Sequence, residues 1–290
     1  LETIHTIEWM KQVSRQARAE GRSIGFVPTM GALHEGHLSL VRAAVAESRP
    51  VVASIFVNPT QFGAGEDFQK YPRALDRDSK ILEDAGVEYL FAPDASEIYP
   101  PGFRTWVNVE GLADRLEGKA RPGHFRGVAT VVLKLLEIVE PQKAFFGRKD
   151  AQQARIIRQM ARDLRLDSEI VMCPIVREED GLAMSSRNAY LNPEERRAAT
   201  ILFRALDAAR ASIARGECDA MRLAAALRET IRREPLADLD YAELVDADTL
   251  EQLTRVRGIC LALLAVRIGA VRLIDNLLIE EIEGKFDTTL

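Results

Sequence analysis

The sequence predicts an α/β protein: a Rossmann-like, doubly wound parallel sheet with a smaller C-terminal α+β domain. Three observations point there. Between residues 24 and 176, short apolar runs alternate with helix-like stretches, the pattern of consecutive β-α units. One run, Val51–Val57 (VVASIFV), is apolar almost throughout, as a parallel strand covered on both faces must be. Beyond about residue 176 the texture changes to two helical stretches followed by three strand-like runs.

Taken in order, Gly25–Thr29 reads as a strand and Gly36–Ser48 as the helix after it. Val51–Val57 is the next strand. Asp76–Ala85 follows as a helix with its charges on one side, and Tyr89–Ala92 as a short strand. Val128–Val139 is an apolar helix with Lys134 and Glu137 on its wet side. Lys143–Phe146, Ala151–Leu164 and Glu169–Val176 continue as strand, helix and strand. Right-handed crossovers join such units. Pro193, behind Asn192 as N-cap, opens a long Ala/Arg/Glu-rich helix. Asp219–Arg233 forms a second. Tyr241–Val245, Gly258–Leu264 and Val271–Ile279 then pair antiparallel. The domains are read as residues 1–176 and 177–290, with a boundary short enough for the second to close over the first as a lid.

Composition narrows the class. At 290 residues, 47% hydrophobic and 29% charged, the chain is globular rather than disordered. Its longest apolar run, around Ile259–Val266, is interrupted by Arg257 and Arg267, too short for a membrane span. No basic-then-apolar leader opens the sequence, so no secretory signal is expected. The three cysteines, Cys173, Cys218 and Cys260, are far apart, and read as buried thiols in a reducing, cytoplasmic compartment. A net charge of −5 gives no support to general nucleic-acid binding. Arg155, Arg158, Arg162 and Arg165 share one helix face by spacing; a solvated stripe and an RNA-contacting face both fit that pattern.

The chemistry concentrates at strand ends, where open α/β sheets bind ligands. The first strand runs into Met30-Gly31-Ala32-Leu33-His34-Glu35-Gly36-His37, which holds two of the four histidines. Gly31 and Gly36 allow close backbone approach to a ligand. The following helix directs its N-terminal N–H groups at the same place. His34 and His37 can donate ring N–H groups to phosphate oxygens and stabilise charge developing there. Surface histidines or a metal pair are the alternatives; H-x-x-H lacks the i,i+4 spacing of helical zinc sites. The next strand ends at Asn58-Pro59-Thr60-Gln61. Gln61 suits a substrate with hydroxyls beside a carboxylate, while Asn58 fits either a ligand or a turn. Arg121-Pro122-Gly123-His124-Phe125-Arg126-Gly127 reads as a basic loop, for an anion or for solvent. Gly147-Arg148-Lys149-Asp150 closes a further strand. Lys149 is placed to reach phosphates, Asp150 fits a helix cap or a ligand role, and Gln153 lies one turn into the helix. Met184-Ser185-Ser186-Arg187 offers hydroxyls and a guanidinium for β- and γ-phosphates and the leaving pyrophosphate.

In this order the segments PTMGALHEGH, SIFVNPTQFG, YPR, RPGHFRGV, FFGRKDAQQ and VREEDGLAMSSRN, from about residue 20 to 195, resemble the pantothenate synthetase (pantoate–β-alanine ligase) family. That resemblance implies the H-x-G-H nucleotidyltransferase type of Rossmann-like fold. It implies condensation of pantoate with β-alanine through a pantoyl adenylate, with ATP consumed, Mg2+ accompanying it, and AMP and pyrophosphate released. It also implies a homodimer. Residue by residue, Met30 to His37, Gly147 to Asp150, Val176 and Met184 to Arg187 would bind ATP. His37, with His34 and Lys149, would act on the reacting phosphate. Gln61 and Gln153, with Asn58 and Arg121, would hold pantoate and β-alanine. The chain departs from the family at Arg148, where Glu is usual, at Ala151, where an aromatic is usual, and at Thr60, where Met is frequent. Two other classes fit less of the sequence: a nucleotidyltransferase acting on a phosphorylated acceptor, and a tRNA-binding module.

Overall fold

A computed structural model describes residues 1–290 and divides them into two compact units. The first comprises Leu1–Arg148 and Gln152–Pro174; the second comprises Lys149–Ala151 and Ile175–Leu290.

The first unit opens with two elements absent from the sequence reading. Strand β1 (Glu2–Ile4) is three residues long, too short to show alternation. Helix α1 (Ile7–Ala19) buries Met10, Val13, Ser14 and Ala17, an i, i+3, i+4, i+7 face, behind an N-cap Thr6 that accepts a hydrogen bond from the Trp9 N–H. The expected alternation follows: β2 (Gly25–Thr29), α2 (Glu35–Glu47), β3 (Val51–Ile55), α3 (Leu75–Asp84), β4 (Tyr89–Phe91), the short α4 (Ala95–Ile98) and α5 (Glu117–Ala120), α6 (His124–Val139), β5 (Lys143–Gly147), α7 (Ala151–Asp163) and β6 (Glu169–Cys173). The six strands run parallel in the order β1-β4-β3-β2-β5-β6. The chain therefore steps outward from β2 to β3 and β4, then returns to β5 on the other side of β2. The switch point lies between β2 and β5, and a ligand crevice belongs at their carboxyl ends. Val51, Val52 and Ala53 are fully buried, as expected of a strand covered on both faces.

Two expectations in this unit need correction. The segment Arg121–Gly127 is a loop only as far as Gly123, whose φ of 84° makes the left-handed turn. From His124 onward it is helix, because Phe125 already lies on the buried face that Val128 continues. The arginine stripe is shorter than its spacing implied: α7 stops at Asp163 and Arg165 has a φ of 53°, so it lies beyond the helix.

The second unit contains α8 (Pro193–Ala198), α9 (Ile201–Ala214), α10 (Ala220–Arg232), β7 (Ala237–Asp246), β8 (Ile259–Ile268), β9 (Val271–Ile282) and β10 (Lys285–Thr289). Its sheet is antiparallel, ordered β10-β9-β8-β7. Leu202, Leu206, Leu223 and Leu227 from the helices pack with Leu264, Val266 and Leu277 from the strands in one apolar core. Each such side chain contributes roughly 1.5–3 kcal/mol on burial. The single long helix expected from Pro193 is two. Thr200 Oγ1 donates to the Arg197 carbonyl at 2.8 Å, and the chain turns there before α9 begins. The three expected strands are four. Glu283 and Gly284, with φ of 50° and 76°, make a two-residue turn that pairs Lys285 with Ile282. The polar run KFDTT carries no apolar alternation to announce that strand. No helix is long and apolar enough to cross a membrane.

The start of α6 sits directly against the Pro59–Gln61 turn. A Cβ at Gly127 would lie 2.4 Å from the Thr60 carbonyl oxygen and 2.8 Å from the Gln61 nitrogen. Backbone on both sides leaves nothing flexible to yield. Gly127→Ala is therefore expected to lower stability by about 1–3 kcal/mol. Urea unfolding at neutral pH checks this, and an unchanged midpoint would mean the helix and turn are not in register as described.

Candidate active site

The turn leaving β2 is built around one buried carboxylate. Asp78, on the inner face of α3 and 1% exposed, accepts from the Ala32 N–H at 2.7 Å and the Leu33 N–H at 3.1 Å. Thr29 Oγ1 accepts from the Gly31 N–H at 3.1 Å and donates to the Ser54 carbonyl at 2.7 Å. These bonds hold Gly31 and Ala32 at φ of 81° and 53°. Such a conformation is ordinary for Gly31 and strained for Ala32. The turn delivers His34 as the N-cap of α2. Its Nδ1 accepts from the Gly36 N–H at 3.1 Å, and Nδ1 of His37 accepts from the His34 N–H at 3.4 Å. The two rings lie 4.2 Å apart. An accepting Nδ1 carries no proton, so Nε2 is the donor nitrogen of each neutral ring. The Gly36 N–H, expected from sequence to meet a ligand, is instead held by His34. Glu35 is exposed and paired with Arg42, and Leu33 is buried.

At the end of β3, Asn58 is 1% exposed and its amide is fully engaged. Nδ2 donates to Gln61 Oε1 at 3.1 Å and to the Gly127 carbonyl at 3.2 Å. Oδ1 accepts from Thr60 Oγ1 and from the Tyr99 hydroxyl, both at 2.9 Å. Of the two roles open to Asn58, the structure shows the turn-forming one. Gln61 is thereby oriented: Oε1 faces Asn58 and Nε2 donates to Met30 Sδ at 3.0 Å. This contact joins the turn after β3 to the turn after β2. Of the two neighbouring glutamines on α7, Gln152 is buried, with Nε2 donating to the Leu112 and Arg115 carbonyls at 2.8 Å. Gln153 is half-buried in the first turn.

Beside Gln61 is a cavity of about 420 Å³, with Trp106, Glu66, Arg121, His124 and Arg126 among its walls. Arg121 faces Glu66 with two parallel bonds, Nε to Oε1 at 2.7 Å and Nη2 to Oε2 at 2.6 Å. Its Nη1 is 3.0 Å from His124 Nε2, and His124 Nδ1 donates to the Gln61 carbonyl at 2.8 Å. One neutral tautomer satisfies both ring nitrogens. Burial works against the Glu66 charge, but the hydrogen bond and charge of Arg121 and the Gly63 N–H outweigh it and hold its pKa down to about 2. Burial, reinforced by the Arg121 charge, pushes His124 down to about 4, against the pull of its bond to Gln61.

The remaining candidates belong mostly to the second unit. Gly147 ends β5, and a Cβ there would meet nothing within 4 Å. Arg148, Lys149 and Asp150 form one 3-10 turn. Val176 and Met184 face each other across a tight hairpin, the Met184 N–H donating to the Val176 carbonyl at 2.9 Å. Ser185 caps the next turn, its hydroxyl accepting from the Arg187 N–H at 3.3 Å. Ser186 and Arg187 lie within that turn.

A family model described as pantoate-beta-alanine ligase matches residues 2–278. The chain belongs to this family. Among relatives named pantothenate synthetase, that of Roseiflexus sp. (strain RS-1) is 60% identical over 267 residues, covering 92% of this chain and 96% of the relative. That of Acetivibrio thermocellus is 54% identical over 280 residues, covering 97% and 100%. A crystal structure of the Thermus thermophilus protein superposes with a TM-score of 0.91 at 48% identity, covering 95% of this chain and 98% of that one. A Francisella tularensis pantoate-beta-alanine ligase, described as complexed with beta-gamma ATP and beta-alanine, gives a TM-score of 0.77 at 37% identity, over 95% and 97%. Parallel six-stranded sheet and smaller C-terminal antiparallel domain are thus the architecture of the family.

Within this family frame, several positioning residues escaped sequence reasoning. Asp78 had a readable signal: it lies four residues before Leu82 on the buried face of an otherwise charged helix. Glu66 had none, because its partner Arg121 is 55 residues away.

The buried, neutral His124 has a measurable consequence. Between pH 6.5 and about 4 the unfolded chain binds a proton there that the folded chain does not. Stability therefore falls as pH drops through that window, by about 3 kcal/mol from this group. The Glu66 contribution persists lower and is lost as pH falls from 4.5 toward about 2. Urea midpoints at pH 7, 5.5 and 4.5 should fall less in His124→Gln than in the parent protein. Equal slopes would show that burial does not hold the ring neutral.

Proposed function

We propose that this chain joins pantoate to β-alanine using ATP, with AMP and pyrophosphate as products. The observation that carries this is the His34–His37 pair, each with its proton on Nε2, at the carboxyl end of β2 beside the switch point, in a member of this family. The pantoate carboxylate attacks the α-phosphorus, and the bond to the β-phosphate oxygen breaks. The β-alanine amine then attacks the acyl carbon, the bond to AMP breaks, and the amine proton passes to solvent. His37, with His34, donates N–H groups to the phosphate on which charge develops. Lys149, Ser185, Ser186 and Arg187 meet the outer phosphates; Met30, Gly31, Ala32, Leu33, Glu35, Gly36, Gly147, Arg148, Asp150, Val176 and Met184 complete the ATP-binding set. Gln61 and Gln153 receive pantoate, with Asn58 holding the Gln61 amide by the bond described above and Arg121 Nη2 donating to the Gln61 carbonyl at 3.4 Å. Magnesium enters as part of the substrate, MgATP. Residues 177–290 act as the lid and phosphate-gripping domain. The protein works in the cytoplasm as a homodimer, for which sedimentation should give twice the 32.3 kDa chain mass.

AMP release measured with pantoate and β-alanine, separately and together, tests this function. Sustained AMP formation should need both. Pyrophosphate exchange should need pantoate alone, and exchange with a phosphorylated acceptor instead would overturn it. His37→Ala should slow adenylate formation by about 10²–10⁴-fold. Near-parent turnover would remove His37 from the chemistry. Gln61→Ala should raise the KM for pantoate far more than that for ATP, and the reverse pattern would put the acyl pocket elsewhere.

A further inference from the structure

Asp275 and Asn276 are consecutive residues of β9, and both are 2% exposed. Consecutive strand residues face opposite sides of a sheet. Asp275 shares the side of Leu273, Leu277 and Ile279, which lies in the apolar core with α9 and α10. A carboxylate in that place is costly unless it is paired and hydrogen-bonded. Here it is both. Arg177 Nη1 and Nη2 donate to its two oxygens at 2.7 and 3.0 Å, and the Asn276 backbone N–H donates to Oδ1 at 2.8 Å.

Arg177 belongs to the hairpin between Val176 and Met184. Its Nη1 also donates to the Gly181 carbonyl at 3.0 Å, and its guanidinium lies 5.1 Å from the centre of the Phe203 ring. A Cβ on Gly181 would strike that ring at 2.1 Å, so the hairpin tip is packed down as well as bonded. Asp275 thus fixes the stem from which Met184, Ser185, Ser186 and Arg187 emerge. On the other side of the same strand, Asn276 Nδ2 donates to the Lys149 carbonyl at 3.0 Å. Lys149 is separated from Asn276 by 127 residues, and this bond ties its turn to β9.

We infer that Asp275 and Asn276 are positioning residues for the ATP phosphates, holding the Lys149 turn and the Met184–Arg187 loop in one frame from opposite faces of β9. The inference rests on the ATP-binding role proposed above. Neither residue need touch substrate. Each acts through a backbone or side chain of a segment that does.

Asn276→Leu keeps the side-chain size and removes the donor. Calorimetric titration of the full chain with MgATP should show affinity weakened about 5-fold, the scale of one hydrogen bond. The KM for pantoate should stay within about 2-fold. In a Lys149→Ala background, Asn276→Leu should change ATP affinity by less than about 2-fold, because the segment it positions has lost its charge. Asp275→Asn should weaken ATP binding too; should that variant not fold, Asn276→Leu alone decides. ATP affinity equal to the parent in Asn276→Leu overturns the inference and leaves the proposed function intact. An undiminished loss in the Lys149→Ala background also overturns it, since Asn276 would then act on the fold at large. A parent chain that neither binds ATP nor releases AMP overturns the function and the inference together.

Discussion

The Asp78 carboxylate, bonded to the Ala32 and Leu33 N–H groups, is the constraint on which the geometry of the first unit's candidate site depends. A helix that follows β3 thereby fixes the turn that follows β2. Without that clamp, Ala32 has no reason to hold a left-handed conformation, which disfavours any side chain. With it, the chain enters α2 at one angle. His34 then becomes a cap, and His37 folds back over it. Capping determines the tautomer, because a ring nitrogen that accepts backbone N–H groups leaves only Nε2 to donate. A backbone requirement at a helix start thus sets which ring nitrogen is left to donate.

Around Gln61 the same logic is carried by neutral groups. Asn58, Thr60 and Tyr99 satisfy one another, and Gln61 is fixed between Asn58 and Met30. The charged groups stand one step further out. Arg121 is matched by Glu66, and its Nη1 meets a histidine that burial keeps unprotonated. A protonated ring there would set one cation against another. Ionic pairing, neutral imidazole and amide therefore form one network, and each member restricts the protonation or orientation of the next. In the second unit, Asp275 plays the part that Asp78 plays in the first: a buried carboxylate that makes a loop's geometry unique.

The sequence carried much of the architecture because strand burial and helix amphipathicity are periodic. VVASI, FFG and the apolar face of α6 announce themselves. Elements without such a pattern did not. The three residues of β1 are too few, β10 is polar, and the helix after Pro193 is interrupted at Ala199 and Thr200, where a hydroxyl bonds back to the Arg197 carbonyl. The same division holds at the candidate site. His34, His37, Gln61 and Lys149 were legible because they stand at strand ends, beside glycines and turns. Asp78, Glu66, Asp275 and Asn276 act at long range, and their partners lie between 45 and 127 residues away along the chain.

What the sequence determined by itself was the set of chemical groups, their attachment to particular strand ends, and the membership of a family whose motifs it carries in order. Local periodicity and turn chemistry suffice for that, because both act over a few residues. What only the tertiary structure decided was how each group is held. It made Asn58 a strut, turned Arg121 toward Glu66, put the proton of each paired histidine on Nε2, and gave the Lys149 carbonyl to Asn276. The reason is physical. A hydrogen bond is decided by atoms within about 3 Å of each other, and in a folded chain those atoms come from residues whose separation in sequence carries no signal of their meeting.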